Sequence, residues 1–234
     1  MTEWFRELAD RFYSNFIKDD RWQYITNGLW VTIQITVLAV MVGIVIGFLV
    51  AIIRSTHDKT GKLKIANFIC RIYLTVIRGT PVVVQLLIIY YGIFASVNIN
   101  KMVVAVIAFG INSGAYVAEI VRSGIMSIDK GQFEAGRSLG LNYLQTMWYI
   151  IAPQVLKTVL PTLANEFIVL LKETSVAGYV AVGDLTFAGN RIRGATYSAF
   201  MPLIAVAIIY LILVVFFSKL VSKLERRLRQ SDNR

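Results

Sequence analysis

Polar side chains stand inside two of the most apolar stretches of this 234-residue sequence. One stretch carries an amide, a hydroxyl and a phenol close together, and the other carries an amide followed directly by a carboxylate. Such groups are costly in hydrocarbon unless they are paired or hydrated, so we expect them to face the interior of a helical bundle. Amides and hydroxyls bind carboxylates or amides, and a carboxylate pairs with a cationic amine or guanidinium. We predict that these residues contact a solute: Asn112, Ser113, Tyr116, Asn165 and Glu166.

Each of these residues has a simpler interpretation, a hydrogen bond between helices that only stabilises the bundle. We expect Pro81 and Pro161 to break two of the spans, and the freed backbone groups then need water or polar partners. Lys172 and Glu173 are interpreted separately, as a local ion pair or a gate near the outer side. Because transporters hold solutes at broken helices, the set as a whole favours a polar pathway over a membrane anchor or scaffold.

Residues for catalysis or metal binding are scarce. His57 is the only histidine and Cys70 the only cysteine, so we predict no disulfide within the chain, no histidine-based metal site and no catalytic residue. Residues 131–138 resemble a phosphate-binding loop, but Arg137 replaces the required lysine and no strand precedes it. A membrane-embedded enzyme is therefore the least supported class, and we predict that this chain binds no cofactor.

The composition indicates an integral membrane protein. The chain is 56% hydrophobic and only 16% charged, whereas about a quarter of the residues of a soluble domain are charged. The formal net charge of +10 would suggest nucleic acid in a soluble protein. Here the basic residues lie between and after the apolar runs, where they favour anionic lipid. We predict an all-α bundle of about five transmembrane helices and no nucleic-acid partner.

The apolar runs set the predicted elements. Trp4, Leu8, Phe12 and Phe16 recur every four residues and predict an interfacial amphipathic helix over residues 3–17. Gly43 and Gly47, in the first span, form a small-xxx-small pair that allows close helix approach. A spanning helix needs about 20 apolar residues, and the second segment is expected to be interrupted near Pro81. The predicted spans are residues 28–53, 65–95, 102–125, about 153–182 and 197–218.

The positive charges predict the orientation. Lysines and arginines concentrate in residues 54–64, in residues 122–157 and in the tail, and these three regions fall on one side of a five-span protein. That side is predicted to be cytoplasmic, with the N-terminus external. The predicted organisation is an external amphipathic segment (1–27), a transmembrane domain with a cytoplasmic loop at 126–153 (28–218) and a basic cytoplasmic tail (219–234).

The cytoplasmic loop resembles the signature of permease subunits in bacterial ATP-binding cassette importers. That signature is Glu-Ala-Ala, three residues, Gly, nine residues, Ile, one residue and Leu-Pro. Gly136 replaces its second alanine and Ala152 replaces its leucine, and both replacements are small. The positions that match at the correct spacing are Glu134, Ala135, Gly140, Ile150 and Pro153.

Three further stretches, 76–86, 111–125 and 165–176, are similar to the histidine, glutamine and arginine branch of that family, and the resemblance covers about residues 25–228. It implies a type I importer permease fold in a bacterial plasma membrane and ATP-driven uptake of a polar amino acid. The implied partners are a pair of ATPase subunits that use ATP and Mg, a second permease copy or a related permease, and an external solute-binding protein.

The resemblance also implies that the loop forms a coupling helix, which docks in a groove on the ATPase subunit. An apolar side formed by Phe133, Leu139, Leu141 and Leu144 agrees with this, although a solvated loop is the alternative. Gly136 and Gly140 are expected to let the partner approach the backbone. The runner-up function is a secondary transporter driven by an ion gradient, which would give no reason for this loop. The predicted coupling residues are Glu134, Ala135, Gly136, Arg137 and Gly140.

Overall fold

The chain is described by a computed structural model that covers residues 2–232, with side chains from 3 to 228. These residues form helices and no strand. Short π or 3-10 turns at 13–17, 18–20, 89–93, 147–151 and 174–180 extend or join the helices. The helices are α1 (Thr2–Phe12), α2 (Trp22–Thr60), α3 (Lys64–Gly79), α4 (Val82–Ile88), α5 (Lys101–Met126), α6 (Lys130–Ser138), α7 (Tyr143–Thr146), α8 (Ala152–Glu173), α9 (Leu185–Thr196) and α10 (Met201–Asp232).

The helices confirm the prediction of about five spans. Within residues 2–232, four helical stretches are long and apolar enough to cross a bilayer: Trp22–Thr60, Lys101–Met126, Tyr143–Val180 and Met201–Leu228. The fifth is a bent pair, Lys64–Gly79 followed by Val82–Ile93, with an angle of 112° between its parts. Thr80 and Pro81 are extended at the bend, because proline disfavours the helical conformation of the residue before it. The chain is a multi-pass membrane protein.

Helices α2 and α5 make a long and close contact, through glycines from both sides. A Cβ at Gly47 would lie 2.4 Å from Val117 Cγ1, and one at Gly110 would lie 2.6 Å from Val42 Cγ1. Gly43 makes the same kind of approach to Ser113, so the small-xxx-small prediction is confirmed. This contact fixes α5, which carries most of the predicted site, against the first span.

Three helices differ from the predicted spans. Pro161 lies inside α8, which is continuous, so the predicted break there is wrong. A proline interrupts a membrane helix only locally when neighbouring groups satisfy the freed backbone. Helix α2 begins before Gly28 and continues through the charged residues predicted as loop, and α10 continues into the basic tail. A helix does not need to end at the membrane surface, because its backbone is satisfied internally in water as well.

The N-terminal segment exposes the aromatic residues of α1 and packs on the bundle near Asn15. Trp4 and Phe12 are 60% and 51% exposed, so the apolar face of α1 is uncovered. Asp19 and Asp20 have positive φ values and turn the chain into α2. Buried Asn15 accepts a hydrogen bond from Thr196 Oγ1 at 2.8 Å, which joins this segment to the end of α9. An interfacial position for α1 stays a prediction.

Candidate functional site

Helix α5 carries two predicted site residues to the interior. Asn112 and Ser113 are 2% and 0% exposed. The neighbouring Gly110 and Gly114 leave room for Val42 and Ile46 of α2, so this part of α5 is closed on the α2 side. The two polar side chains therefore find their partners on α4 and α8.

Asn112 is connected to the break between α3 and α4 through Gln85. Asn112 Nδ2 donates to Gln85 Oε1 at 3.0 Å. Gln85 Nε2 in turn reaches the carbonyl oxygens of Ile77 and Thr80 at 2.7 and 3.0 Å and Thr80 Oγ1 at 2.9 Å. Gln85 thus satisfies backbone acceptors that the break leaves without a helical partner. Sequence reasoning missed Gln85 as a site residue, although an amide four residues after Pro81 in an apolar run is a usable signal.

Ser113 and Glu166 meet across the α5–α8 interface. Ser113 Oγ donates to Glu166 Oε1 at 3.3 Å, and both residues are buried. Glu166 reaches this position from the buried face of α8, where Val159 and Leu170 also lie. The pair confirms that these two spans place polar groups opposite each other inside the bundle.

A cavity of about 440 Å³ opens beside this pair, between α5 and α8. Both of its charged lining residues are carboxylates, Glu119 and Glu166. Five hydroxyls and an apolar wall complete it, contributed by Tyr116, Ser123, Ser127, Thr158, Thr162, Ile120 and Val159. The cavity can hold a small polar solute, and its charged lining favours a cationic group.

One predicted residue and one predicted pair lie outside both the buried contacts and the cavity lining, and one lining residue is only partly buried. Tyr116 lines the cavity but is 37% exposed. Asn165 lies on an exposed face of α8 and outside the cavity lining. Lys172 is exposed and Glu173 is half-buried, and the described ion pairs include none between them. The structure thus brings together Asn112, Ser113, Tyr116 and Glu166 but not Asn165.

An ionic cluster at one end of the cavity was not predicted as part of the site. Glu119 Oε1 lies 2.8 Å from Arg54 Nη1 and 3.7 Å from Arg78 Nη1, while Glu119 Oε2 lies 3.9 Å from Arg122 Nη1. Arg122 Nη2 also lies 3.3 Å from Asp58 Oδ2. The cluster joins α2, α3 and α5. The available sequence signal was the occurrence of charged residues within otherwise apolar spans.

The predicted coupling helix is α6, and its ends are well defined. Asp129 caps its start by accepting from Gly131 N at 2.6 Å, and Gly140, with φ +77°, ends the turn that follows. Asn142 and Gln145 form a capping box at the start of α7. The sequence thus builds a compact helix–turn–helix that leads into the stretch Tyr143–Val180.

The exposed surface of α6 differs from the predicted one in one respect. Glu134, Ala135 and Arg137 are exposed, whereas Gly136 is buried. A Cβ at Gly136 would lie 2.5 Å from Thr146 Cγ2, so this glycine packs on its own chain. A contact between Gly136 and a partner stays a prediction.

The predicted apolar side of this region is split in the same way. Leu139 and Leu144 are each 74% exposed, while Phe133 and Leu141 are half-buried. Phe133 packs against the core cluster that contains Val121 and Ile151. Only the two exposed leucines therefore remain as apolar surface for a partner.

Comparisons with known proteins agree with this architecture. Residues 43–230 match the family model described as binding-protein-dependent transport system inner membrane component. The chain is 35% identical to the arginine transport system permease protein ArtQ of Bacillus subtilis, over 89% of this chain and 94% of that protein. It is 38% identical to the glutamine transport system permease protein GlnP of Escherichia coli, over 88% and 93%.

Solved structures give the same fold. A crystal structure of an amino acid ABC transporter with histidines superposes with a TM-score of 0.82 at 42% identity, over 88% of this chain and 94% of that one. The inward-facing MetNI methionine ABC transporter, at 19% identity and a TM-score of 0.76, supports the fold alone. This chain belongs to the family of inner membrane components of binding-protein-dependent transport systems and is a membrane-spanning permease subunit.

Proposed function

We propose that this permease forms the pathway for a polar amino acid in an ATP-driven uptake system. The main support is the buried contact between Ser113 and Glu166, because Glu166 lines a cavity of about 440 Å³. The buried Asn112–Gln85 contact begins one residue earlier on α5. The names of its relatives refer to arginine and glutamine transport. The family leaves ATP hydrolysis to a separate ATPase subunit, so the chain itself is a transport subunit and not an enzyme. Nothing favours the alternative of an ion-gradient-driven transporter.

The proposed substrate contacts follow from the donors and acceptors at the cavity. Ser113 and Tyr116 offer hydroxyls to the polar ends of the solute. Asn112 Oδ1 is buried with no partner among the described residues, so it is an acceptor for a solute N–H or for a water. Glu166 pairs with a cationic group. Asn165 requires a second permease copy or another conformation to cover its exposed face before it can contact the solute.

The acidic lining favours a solute with a cationic side chain. Glu119 is shared among arginines, but Glu166 accepts only one neutral hydroxyl among the described contacts. A guanidinium or ammonium group at Glu166 would supply the missing positive charge in a site of low dielectric. We therefore propose that the transported solute is a basic amino acid and not a neutral one.

The proposed assembly contains two copies of this permease, or one copy with a related permease. Two ATPase subunits that use ATP and Mg bind at α6, through Glu134, Ala135, Arg137 and the turn at Gly140, and Gly136 holds α6 in place from within. An external solute-binding protein delivers the amino acid. ATP-driven closure of the ATPase pair shifts the bundle toward an outward-open state, which requires that the pair bind the two states with different affinity.

The proposed location is a bacterial plasma membrane, with the N-terminus outside and the C-terminus in the cytoplasm. The basic residues of 54–64, 122–157 and the tail support this orientation. We retain the proposed division into residues 1–27, 28–218 and 219–234, although α2 begins within the first of these segments and α10 extends into the last.

The test is Glu166→Gln in the permease purified with its ATPase subunits and reconstituted in liposomes with the binding protein. Removing the carboxylate charge is expected to weaken arginine uptake about tenfold or more, because one charged pair is lost. Glutamine uptake should change less. Glu119→Gln is the matched control, since Glu119 lines the same cavity but already has an arginine partner at 2.8 Å. Unchanged uptake of arginine, histidine and glutamine in Glu166→Gln would remove Glu166 from the site.

A further inference from the structure

A second cavity, of about 660 Å³, lies where the ends of α2 and α5 meet α6 and α7. It shares no lining residue with the cavity beside Glu166, and the proposed transport function does not use it. Part of its wall is apolar, formed by Ile125, Met126, Ile128 and Phe133. Because the span α5 ends at Met126, the cavity lies at the level where this helix leaves the bilayer.

The charged side chains of this cavity are mostly basic. They are Lys59, Arg122, Lys130, Arg137, Asp58 and Glu134. Four cations against two carboxylates leave an excess of two positive charges. Arg122 Nη2 lies 3.3 Å from Asp58 Oδ2, whereas the ion pairs among the described residues include none for Lys59 or Lys130. The excess charge therefore lies on these two lysines.

The outer edge of the cavity overlaps the proposed ATPase contact. Glu134 and Arg137 belong to both, and their charges are opposite. Leaving this pair out does not change the excess of two positive charges. The inference therefore rests on the inner residues alone, which belong to α2, to α5 and to the first position of α6.

The ammonium group of Lys59 is held at the cavity by aromatic rings. Its Nζ lies 3.2 Å from the centre of the Phe133 ring and 5.2 Å from that of Tyr143. The face of an aromatic ring attracts a cation without neutralising its charge. Lys59 thus keeps a full positive charge beside an apolar wall.

Two buried polar groups of the lining have no hydrogen-bond partner among the described residues. They are Nε of Arg122 and the hydroxyl of Thr146, which is 2% exposed. A guanidinium N–H can only donate, and a hydroxyl can donate as well. An occupant with several acceptor oxygens would therefore satisfy both groups.

We propose that this cavity binds the phosphate group of an anionic phospholipid. A phosphate supplies the negative charge and the acceptor oxygens that the lining lacks, and basic pockets between membrane helices are suited to such headgroups. The apolar wall at Ile125 and Met126 receives the first part of an acyl chain, which a free phosphate does not have. This site goes beyond the proposed function and does not depend on which solute is carried.

The experiment measures lipid binding by the whole permease. The chain is purified in detergent, with and without its ATPase subunits, and Kd for phosphatidylglycerol and phosphatidylcholine is measured by native mass spectrometry. The wild type should bind phosphatidylglycerol more tightly, because the choline cation balances the phosphate charge of the other lipid. The double variant Lys59→Gln with Lys130→Gln should weaken phosphatidylglycerol binding about tenfold or more, since both excess charges are lost.

Two further double variants separate this site from general attraction to basic residues. Lys62→Gln with Lys64→Gln is the matched control, because it removes two exposed lysines that lie just after α2 and outside the cavity lining. It should leave both Kd values unchanged. Lys59→Arg with Lys130→Arg keeps both charges and should retain the preference for phosphatidylglycerol.

Glycerol phosphate, the same kind of headgroup without acyl chains, distinguishes a lipid from a soluble phosphate compound. The proposal expects it to bind far more weakly than phosphatidylglycerol. Equal affinity for the two would overturn the lipid as the occupant.

Three other results would overturn the site. These are a wild type without lipid preference, an equal loss of binding in the two Lys→Gln double variants, and binding that disappears when the ATPase subunits are present. None of them bears on the proposed function, because arginine uptake in Glu166→Gln is measured separately.

Discussion

The two sides of helix α5 differ in how closely they are packed. The side toward α2 is closed by glycines, and a single added methyl at Gly110 or Gly114 would meet a side chain at 2.6 or 2.9 Å. The side toward α8 carries Tyr116 and Glu119 and borders a cavity of about 440 Å³. The α8 side is closed as well at one end, where a Cβ at Gly124 would lie 2.2 Å from Val159 Cγ2. The contrast indicates that α2 and α5 form one rigid unit, while the open space beside α5 lies toward α8.

The largest effect on stability is expected on the closely packed side, between α2 and α5. Gly47→Leu places a side chain where even a Cβ would lie 2.4 Å from Val117 Cγ1. We expect the α2–α5 contact to open, at a cost of about 3 kcal/mol or more in unfolding free energy, with a lower melting temperature of the purified permease in detergent.

Gly194→Leu is the control for that change, because a Cβ at Gly194 meets nothing within 4 Å. It should leave the melting temperature close to that of the wild type. If Gly47→Leu melted like the control, the rigid contact between α2 and α5 would be disproved.

The next largest effect is expected at Gln85, which is hydrogen-bonded to Asn112 and to the end of α3. Gln85→Leu removes the acceptor of the Asn112 hydrogen bond. It also removes the amide group that donates to Ile77 O, Thr80 O and Thr80 Oγ1 at the α3–α4 break. We expect a loss of about 1–3 kcal/mol in unfolding free energy, because buried polar groups then remain unsatisfied. Thermal unfolding of the purified permease measures it.

Gln85→Glu sharpens this result. Glutamate keeps an acceptor for Asn112 but cannot donate to the carbonyl oxygens of Ile77 and Thr80. The effect of this substitution therefore measures the contribution of those two hydrogen bonds at the end of α3. A melting temperature unaffected by both substitutions would show that Gln85 does not hold the break.

The smallest expected effect concerns the close contact between α6 and α7. Gly136→Ala restores the alanine of the signature but places a Cβ 2.5 Å from Thr146 Cγ2. We expect about 1 kcal/mol of destabilisation of α6 against α7, seen as faster hydrogen exchange of the α6 amides.

The double variant Gly136→Ala with Thr146→Ala tests the cause. It removes the Thr146 methyl and hydroxyl that the new Cβ would meet, so exchange should return toward the wild-type rate. Faster exchange that persisted in the double variant would place the origin of the effect elsewhere.

Features that depend on the length of an apolar run, or on the cost of a polar group in hydrocarbon, could be predicted from the sequence. The number of spans, the break before Pro81 and the inward position of Asn112, Ser113 and Glu166 all follow from the cost of polar groups in lipid. These signals are local, so a single sequence contains them.

The remaining features depend on which helices meet. Asn165 and Glu166 are neighbours in the same apolar run, but only packing decides that one is exposed and the other is buried against α5. Gly136 and Thr146 are ten residues apart, and their contact requires the turn at Gly140. Pro161 in a continuous helix shows that the effect of a proline depends on its neighbours.

The central claim is that the solute passes through the cavity between α5 and α8. Thr162→Trp, which fills this cavity, tests it most directly when arginine uptake is measured in liposomes that contain the permease, its ATPase subunits and the binding protein. Leu160→Trp is the control, since Leu160 is 39% exposed on α8 and outside the lining. We expect Thr162→Trp to abolish uptake while the complex stays assembled, and Leu160→Trp to transport normally. Uptake by Thr162→Trp at the rate of the control would contradict it.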